Sequence, residues 1–295
     1  MPAGGPAPSP VGLDAAGERP GDGSPEHAAR LRRLVGRVAS DPSRAALVLD
    51  FDGTLAPIVA EPARAAPLAG VVPLLHELAR RAALVAVVSG RPAAFLSERL
   101  EVAAGRSPLR VVGLHGLEEL GPQGRVVRRQ GAERWAPVVA EACRRLREGA
   151  PAGAEVEDKG LSCTLHWRRC PDAGPGAARL GAAVAARLGL VVRAGRRSVE
   201  LLPPVGADKG DAVRLLLAGR DVRVAAVVGD DLGDLAAFEA LRSLAAAGRI
   251  ETFAVAVLSD ETPLELRAAA DVLLPGPPAV AELLRALEQA TQGTR

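Results

Sequence analysis

The sequence predicts an α/β protein: a Rossmann-like parallel-sheet core with helices on both faces, carrying an inserted α+β cap domain. Three observations predict it. Short apolar runs stop abruptly at polar clusters, helical stretches separate those runs, and a segment of two-residue alternation interrupts the pattern midway along the chain.

Taken in order, residues 1–25 are rich in Gly, Pro, Ser and Ala, with too little bulky apolar content to form a core, and are expected to be a disordered tail. A short helix is expected over 30–39. Ala45–Leu49 is a continuous apolar run that ends at Asp50; Leu84–Val88 ends at Ser89-Gly90-Arg91, and 224–228 ends at Gly229-Asp230-Asp231. Runs of this kind are strands buried on both faces, as in parallel sheets covered by helices. Helices are predicted over 71–82, 92–100, 210–217 and 235–246, and further strands over 110–114, 253–258 and 272–274.

The middle of the chain reads differently. From 161 to 168, Leu161, Cys163, Leu165 and Trp167 alternate with Ser162, Thr164, His166 and Arg168, the period of a half-buried antiparallel strand. With 126–128, 191–193 and 198–202 as partner strands and helices near 135–147 and 177–188, this is a small α+β unit. The expected organisation is a catalytic core over 26–117 and 204–295, interrupted by an inserted cap over 118–203.

Composition narrows the function classes. With 37 basic against 35 acidic residues there is no global field to hold nucleic acid or an anionic membrane, so neither is expected as a partner. Only 2% of residues are aromatic, with no Tyr, so Ala, Val and Leu must fill the core. Cys143, Cys163 and Cys170 form no CxxC pair and are expected to be free thiols in a reducing compartment. Neither a membrane span nor a signal peptide is read, and the expectation is a cytoplasmic monomer.

Open parallel sheets bind ligands beyond the carboxyl ends of their strands, so polar clusters at three strand ends converge on one crevice. Asp50-Phe51-Asp52-Gly53-Thr54 puts two carboxylates two residues apart just past a buried strand. Metal-assisted phosphoryl transfer uses such a pair, one to attack phosphorus and one to protonate the leaving oxygen; the competing reading is a turn of purely conformational origin. Ser89-Gly90-Arg91-Pro92 offers a hydroxyl and free amides for a phosphoryl oxygen, or else a plain helix cap. Gly229-Asp230-Asp231-Leu232-Gly233-Asp234 gathers three carboxylates, a set of hard oxygen ligands suited to Mg²⁺, with an acidic helix start as the alternative. Lys209 at a helix start opposes the helix dipole, which calls for a partner anion.

In that order, DxDGT, a strand-terminal Ser, a Lys and GDD form the four-part pattern that resembles the haloacid dehalogenase-like phosphatases. The resemblance implies Asp50 as nucleophile and Mg²⁺ ligand, Asp52 as general acid/base and backbone-carbonyl ligand, and Thr54 and Ser89, with Gly90 and Arg91, as phosphate positioners. It also implies that Lys209 screens the nucleophile, that Asp230 ligates the metal directly, and that Asp231 and Asp234 support it. Segments outside the four motifs, DFDGTLAPI, GLHGLE, EDKGLSCTLHWR, GRRSVELLP and ADKGDAV, resemble the trehalose-6-phosphate phosphatase family over about residues 43–285. That likeness implies a sugar phosphate substrate contacted by Glu118, Arg196 and Glu200, with Lys159, His166 and Arg168 at matching cap positions, where His166 and Arg168 read either as solvent-exposed or as sugar contacts; His115, beside the Gly113 and Gly116 turn, reads as orienting the hinge or substrate loop or as a structural residue. Where the family often reads GDDxTDEDxF, this chain has Gly233, Leu235 and Ala236 in place of Thr, Glu and Asp. Competing readings are a capped phosphatase of another sugar ester and a catalytically silent descendant of the fold. His76 reads as a surface or boundary residue, and Trp135 and Trp167 as core residues of the cap.

Overall fold

A computed structural model describes residues 25–102, 107–248 and 250–292. The tail expected over 1–25 therefore lies outside the described residues except for Pro25, which opens a helix. In chain order the elements are α1 (Pro25–Ser40), β1 (Ala45–Leu49), α2 (Val71–Arg81), β2 (Leu84–Val88), α3 (Ala93–Arg99), β3 (Arg110–Gly113), β4 (Glu118–Leu120) and β5 (Val126–Arg128). There follow α4 (Ala136–Gly149), β6 (Glu155–Asp158), β7 (Cys163–His166), α5 (Gly174–Leu188), β8 (Val191–Gly195) and β9 (Ser198–Leu202). The chain closes with α6 (Lys209–Leu217), β10 (Val224–Gly229), α7 (Leu235–Ala246), β11 (Glu251–Val257), α8 (Leu264–Ala269), β12 (Val272–Leu274) and α9 (Gly276–Gln292).

Eight strands form one sheet in the order β12-β11-β10-β1-β2-β3-β4-β5, parallel from β12 through β3 and antiparallel beyond. Its apolar strands are covered on both sides. Leu47 and Leu49 of β1 pack into one layer with Leu34, Leu75, Leu96 and Leu284, while Ala46 and Val48 pack into the other with Val213, Phe238 and Leu241. This is the physical reason those strands carry no polar alternation. Burying such side chains stabilises the fold by about 1.5–3 kcal/mol each.

The second sheet runs β6-β7-β9-β8, antiparallel throughout. Cys163, Leu165, Val199 and Leu201 point from it into an apolar layer with Val139, Leu146 and Val184 of α4 and α5. The alternate residues face the other way, toward the ends of the large sheet's strands. The three cysteines are free thiols. Among the described residues no helix is long and apolar enough to cross a membrane.

Three expectations are corrected. Residues 126–128, assigned above to the inserted unit, extend the large sheet instead: β5 pairs with β4, and β4 with β3, as a short antiparallel meander. The strand read over 161–168 is trimmed to Cys163–His166, because Gly160 at φ +79° turns the chain just before it and Leu161 joins a separate apolar cluster with Leu114 and Leu202. The helix over 30–39 extends to Pro25–Ser40. Elements not read from the sequence are the three-residue β4, β6, whose Glu-Val-Glu-Asp has no apolar run to mark it, and the helices α8 and α9.

Candidate active site

β1 is fixed between β10 and β2, and its last backbone link, Asp50 N to Val228 O at 2.9 Å, aims the Asp50 carboxylate out of the strand end. The chain then turns within a few residues, with Gly53 N donating to Ala56 O at 2.7 Å and Gly53 at φ +79°. That conformation favours glycine, and space demands it: a Cβ here would stand 1.9 Å from Asp230 Oδ2. Phe51 is fully buried, its ring edge-on to Phe95. The turn is thus locked by packing below and by Asp230 above.

Lys209, at the start of α6, lies between two carboxylates. Its Nζ is 2.9 Å from Asp50 Oδ1 and donates to Asp234 Oδ1 at 2.8 Å, and the side chain is only 4% exposed. Asp234 Oδ2 accepts the backbone N–H of Asp230 and of Asp231, while Asp231 Oδ1 accepts from Gly233 N at 2.8 Å, a reciprocal cap on the turn after β10. Oxygens of Asp50, Asp230 and Asp234 lie within 4.8 Å of one another.

The charges in this knot do not balance. Burial pushes the Asp230 carboxyl well above the usual range, and Asp50 and Asp231 beside it push it further; burial raises Asp50 and Asp234 as well, against the pull of Lys209. Burial opposes the charge on Lys209, but Asp234, Asp50 and Asp231 outweigh it and hold the ammonium well above its ordinary value. Asp230 Oδ1 is buried with no hydrogen-bond partner. A buried orphan oxygen among crowded carboxylates is what a hard divalent cation satisfies, so these residues fit one.

Around this knot runs a cleft lined from both sheets. Asp50, Asp52, Ser89, Gly90, Arg91, His115, Lys209, Asp230 and Asp231 line it from the core. Lys159, His166, Arg168, Arg196 and Glu200 line it from the inserted segment. Arg91 forks Asp52, donating through Nε at 2.7 Å and Nη2 at 2.9 Å, and its backbone N–H donates to Ser89 Oγ. Glu200 collects the inserted side: Oε1 accepts from Lys159 Nζ at 2.9 Å and Ser162 Oγ at 2.7 Å, and Oε2 from His115 Nε2 at 2.9 Å. Lys159 also donates to Gly90 O, across from one sheet to the other. Gly90 leaves room for His115, whose Nε2 would lie 2.6 Å from a Cβ at that position. Arg196 reaches from the β8–β9 turn to Asp230, with Nη1 2.9 Å from Oδ2 and Nη2 donating to the backbone carbonyl.

Three expected site residues are not brought to the cleft wall. Glu118 is buried with Oε2 accepting Ala93 N at 3.0 Å, so its carboxylate caps the start of α3 rather than facing a ligand. Thr54 is fully buried beneath the turn, its hydroxyl without a partner, and Asp234 lies behind Lys209. Two of the cleft-lining residues are already engaged: His166 bonds Glu157, and Arg168 bonds Glu261 on the core loop after β11. Sequence reasoning missed Glu157, Ser162 and Arg193 as cleft or network residues. The two-residue alternation of β7, carried over to β8 and β9, was the signal that could have found Arg193.

A solved haloacid dehalogenase-like hydrolase from Bacteroides thetaiotaomicron superposes with a TM-score of 0.56 at 16% identity, over 82% of this chain and 98% of that one. The C-terminal domain of C. albicans trehalose-6-phosphate phosphatase superposes with a TM-score of 0.73 at 24% identity, over 88% and 97%. An open parallel sheet with its crevice under an inserted second sheet is therefore the fold of the haloacid dehalogenase-like hydrolases. Within that class, the trehalose-phosphatase family model matches residues 48–270, and the chain belongs to the trehalose-phosphatase family. A trehalose-phosphate phosphatase of Mycobacterium marinum is 36% identical over 206 residues, 67% of this chain and 52% of its own length. The chain spans about half the length of the curated relatives it matches.

Proposed function

We propose that the chain hydrolyses trehalose 6-phosphate to trehalose and phosphate, as a step of trehalose biosynthesis, through a phosphorylated Asp50. The observation that carries the reading is the buried Asp50 carboxylate, held by Lys209 at the floor of a cleft whose opposite wall is the polar face of a second sheet. In this reading Asp50 attacks phosphorus, the bond from phosphorus to the sugar oxygen breaks, and Asp52 gives that oxygen its proton. Asp52, now a carboxylate, takes a proton from water, which displaces phosphate from Asp50. The Arg91 fork holds Asp52 at the cleft wall, and Lys209 screens Asp50 from the incoming ester. Ser89 is assigned to a phosphoryl oxygen, and Asp50, Asp230 and the Asp52 backbone carbonyl to Mg²⁺, with Asp231 and Asp234 steadying them. When bound, Mg²⁺ would neutralise charge on the phosphoryl group.

The inserted α+β unit is proposed as the cap that selects the sugar. Lys159, His115 and Glu200 form its link to the core, and Arg196, carried on its hairpin turn, reaches the acidic knot. Phosphate release should be measured with Mg²⁺ on trehalose 6-phosphate, sucrose 6-phosphate, glucose 6-phosphate and an aryl phosphate, for the wild type and Asp50→Asn. Preference for trehalose 6-phosphate, lost in Asp50→Asn and on chelation with EDTA, is expected. Turnover that survives either change would sink the mechanism, and hydrolysis of the aryl ester alone would sink the substrate.

A further inference from the structure

Among the described residues, two members of the row across the cleft-facing side of the inserted sheet, Thr164 and Arg193, have a buried polar atom without a partner, as does Arg196 Nε on the turn beyond it. Glu157, Thr164, Glu200 and Arg193 stand side by side across its four strands, since Glu157 pairs with Thr164, Thr164 with Glu200, and Glu200 with Arg193. All four line the cleft. Glu157 is bonded by His166, and Glu200 is saturated by Lys159, Ser162 and His115. Thr164 is 3% exposed, and its Oγ1 has no partner. Arg193 donates Nη2 to Ala207 O at 3.2 Å, while Nη1 is buried with no partner. Orphaned buried donors are rare in folded proteins, and those on a cleft wall are satisfied when a ligand arrives.

The chemistry of the row says which part of a ligand it takes. Two carboxylates stand in it, one beside and one between the orphaned groups, and they repel a phosphate laid there. A neutral polyol meets no such penalty. Its hydroxyls can accept from Arg193 and both donate to and accept from Thr164. With strands about 4.8 Å apart, the two residues flank Glu200 at about 10 Å, a span for one hydroxylated ring rather than for a single atom. We infer that Thr164 and Arg193 are specificity-determining contacts for the hydroxyl-bearing ring of the substrate, holding it over Glu200 while the phosphate points to Asp50. This rests on the reading of the chain as a sugar phosphatase.

The test compares kcat/KM for trehalose 6-phosphate and for an aryl phosphate in the wild type, Thr164→Val, Thr164→Ser and Arg193→Met. Valine keeps the shape and suits a strand, so Thr164→Val removes only the hydroxyl. Thr164→Val and Arg193→Met are each expected to lose about tenfold or more on the sugar ester relative to their loss on the aryl ester, chiefly through KM. Thr164→Ser, which keeps the hydroxyl and drops the methyl, is expected to recover most of that loss. Equal losses on both esters, or Thr164→Ser as impaired as Thr164→Val, would mean packing alone and overturn the proposal. A wild type that hydrolyses the aryl ester and no sugar phosphate overturns the underlying function instead. A sugar-active wild type with indifferent variants overturns only these two contacts.

Discussion

At Gly53 one hydrogen atom in place of a side chain decides whether the acidic knot can exist. Its left-handed backbone costs a residue with a Cβ about 1–2 kcal/mol, and the Cβ would also collide with Asp230 Oδ2 at 1.9 Å. Gly53→Ala is therefore expected to fold with slightly lower stability but to displace Asp230, lowering kcat about 10²-fold, the cost of misplacing a reacting group by about 1 Å. Calorimetric titration of Mg²⁺ should show weakened binding in the same variant, and unchanged metal affinity would contradict the assignment of Asp230. Asp50 and Asp230 were legible in the sequence because each follows directly on a buried strand, and Lys209 because a cation at a helix start calls for an anion; the three do meet. Glu118 was misread because a motif specifies the turn but not which side of it the carboxylate faces; here the N–H at the start of α3 claims it. The alternation puts Thr164 and Arg193 on the polar face, but that each has an unsatisfied atom is visible only once every neighbour is in place.

Among the elements, β9 carries a buried charge, Glu200, that ties the inserted sheet to the core. Burial works against ionisation of Glu200, but Lys159 and His115 beside it overcome that and hold its carboxyl well below the usual range. A carboxyl with a depressed folded-state pKa contributes stability that is fully present above the ordinary carboxylate value and disappears as pH falls toward the depressed one. The melting temperature of the wild type is accordingly expected to fall on acidification below about pH 4.5, the ordinary glutamate value. Glu200→Gln removes that portion of the pH dependence, and it leaves the Lys159 ammonium buried without its counter-charge, a loss of about 3–5 kcal/mol. Identical melting curves for the two proteins between pH 3 and pH 7 would refute the coupling. The strands of the large sheet were readable because both of their faces are apolar, whereas β6 was not: as an edge strand with exposed Glu155 and Asp158, it has one inward apolar residue, Val156, and no pattern to detect. Val126–Arg128 was placed in the wrong sheet because a three-residue exposed strand has no inward side chain to specify its partner.

For the molecule as a whole, the two sheets differ in how far apart in the chain their partners lie. Every pairing in the inserted sheet joins strands between Glu155 and Leu202, and its apolar layer comes from α4 and α5 close by in sequence. The centre of the large sheet instead joins β1 to β10, Ala45 to Val224, with the whole inserted unit in between. Contacts that close long loops form late, because the entropy of closure is lost before the contact returns anything. In pulsed hydrogen exchange during refolding, amides of β7 and β9 are expected to gain protection before those of β1 and β10; the reverse order would refute this. On the ribosome the consequence is sharper. Asp50 emerges ahead of the whole inserted unit, whereas Lys209, Asp230 and Asp234, which it meets in the folded protein, all emerge after that unit. On the proposed reading, the nascent protein would complete the wall that recognises the sugar before the residues assigned to the chemistry have met.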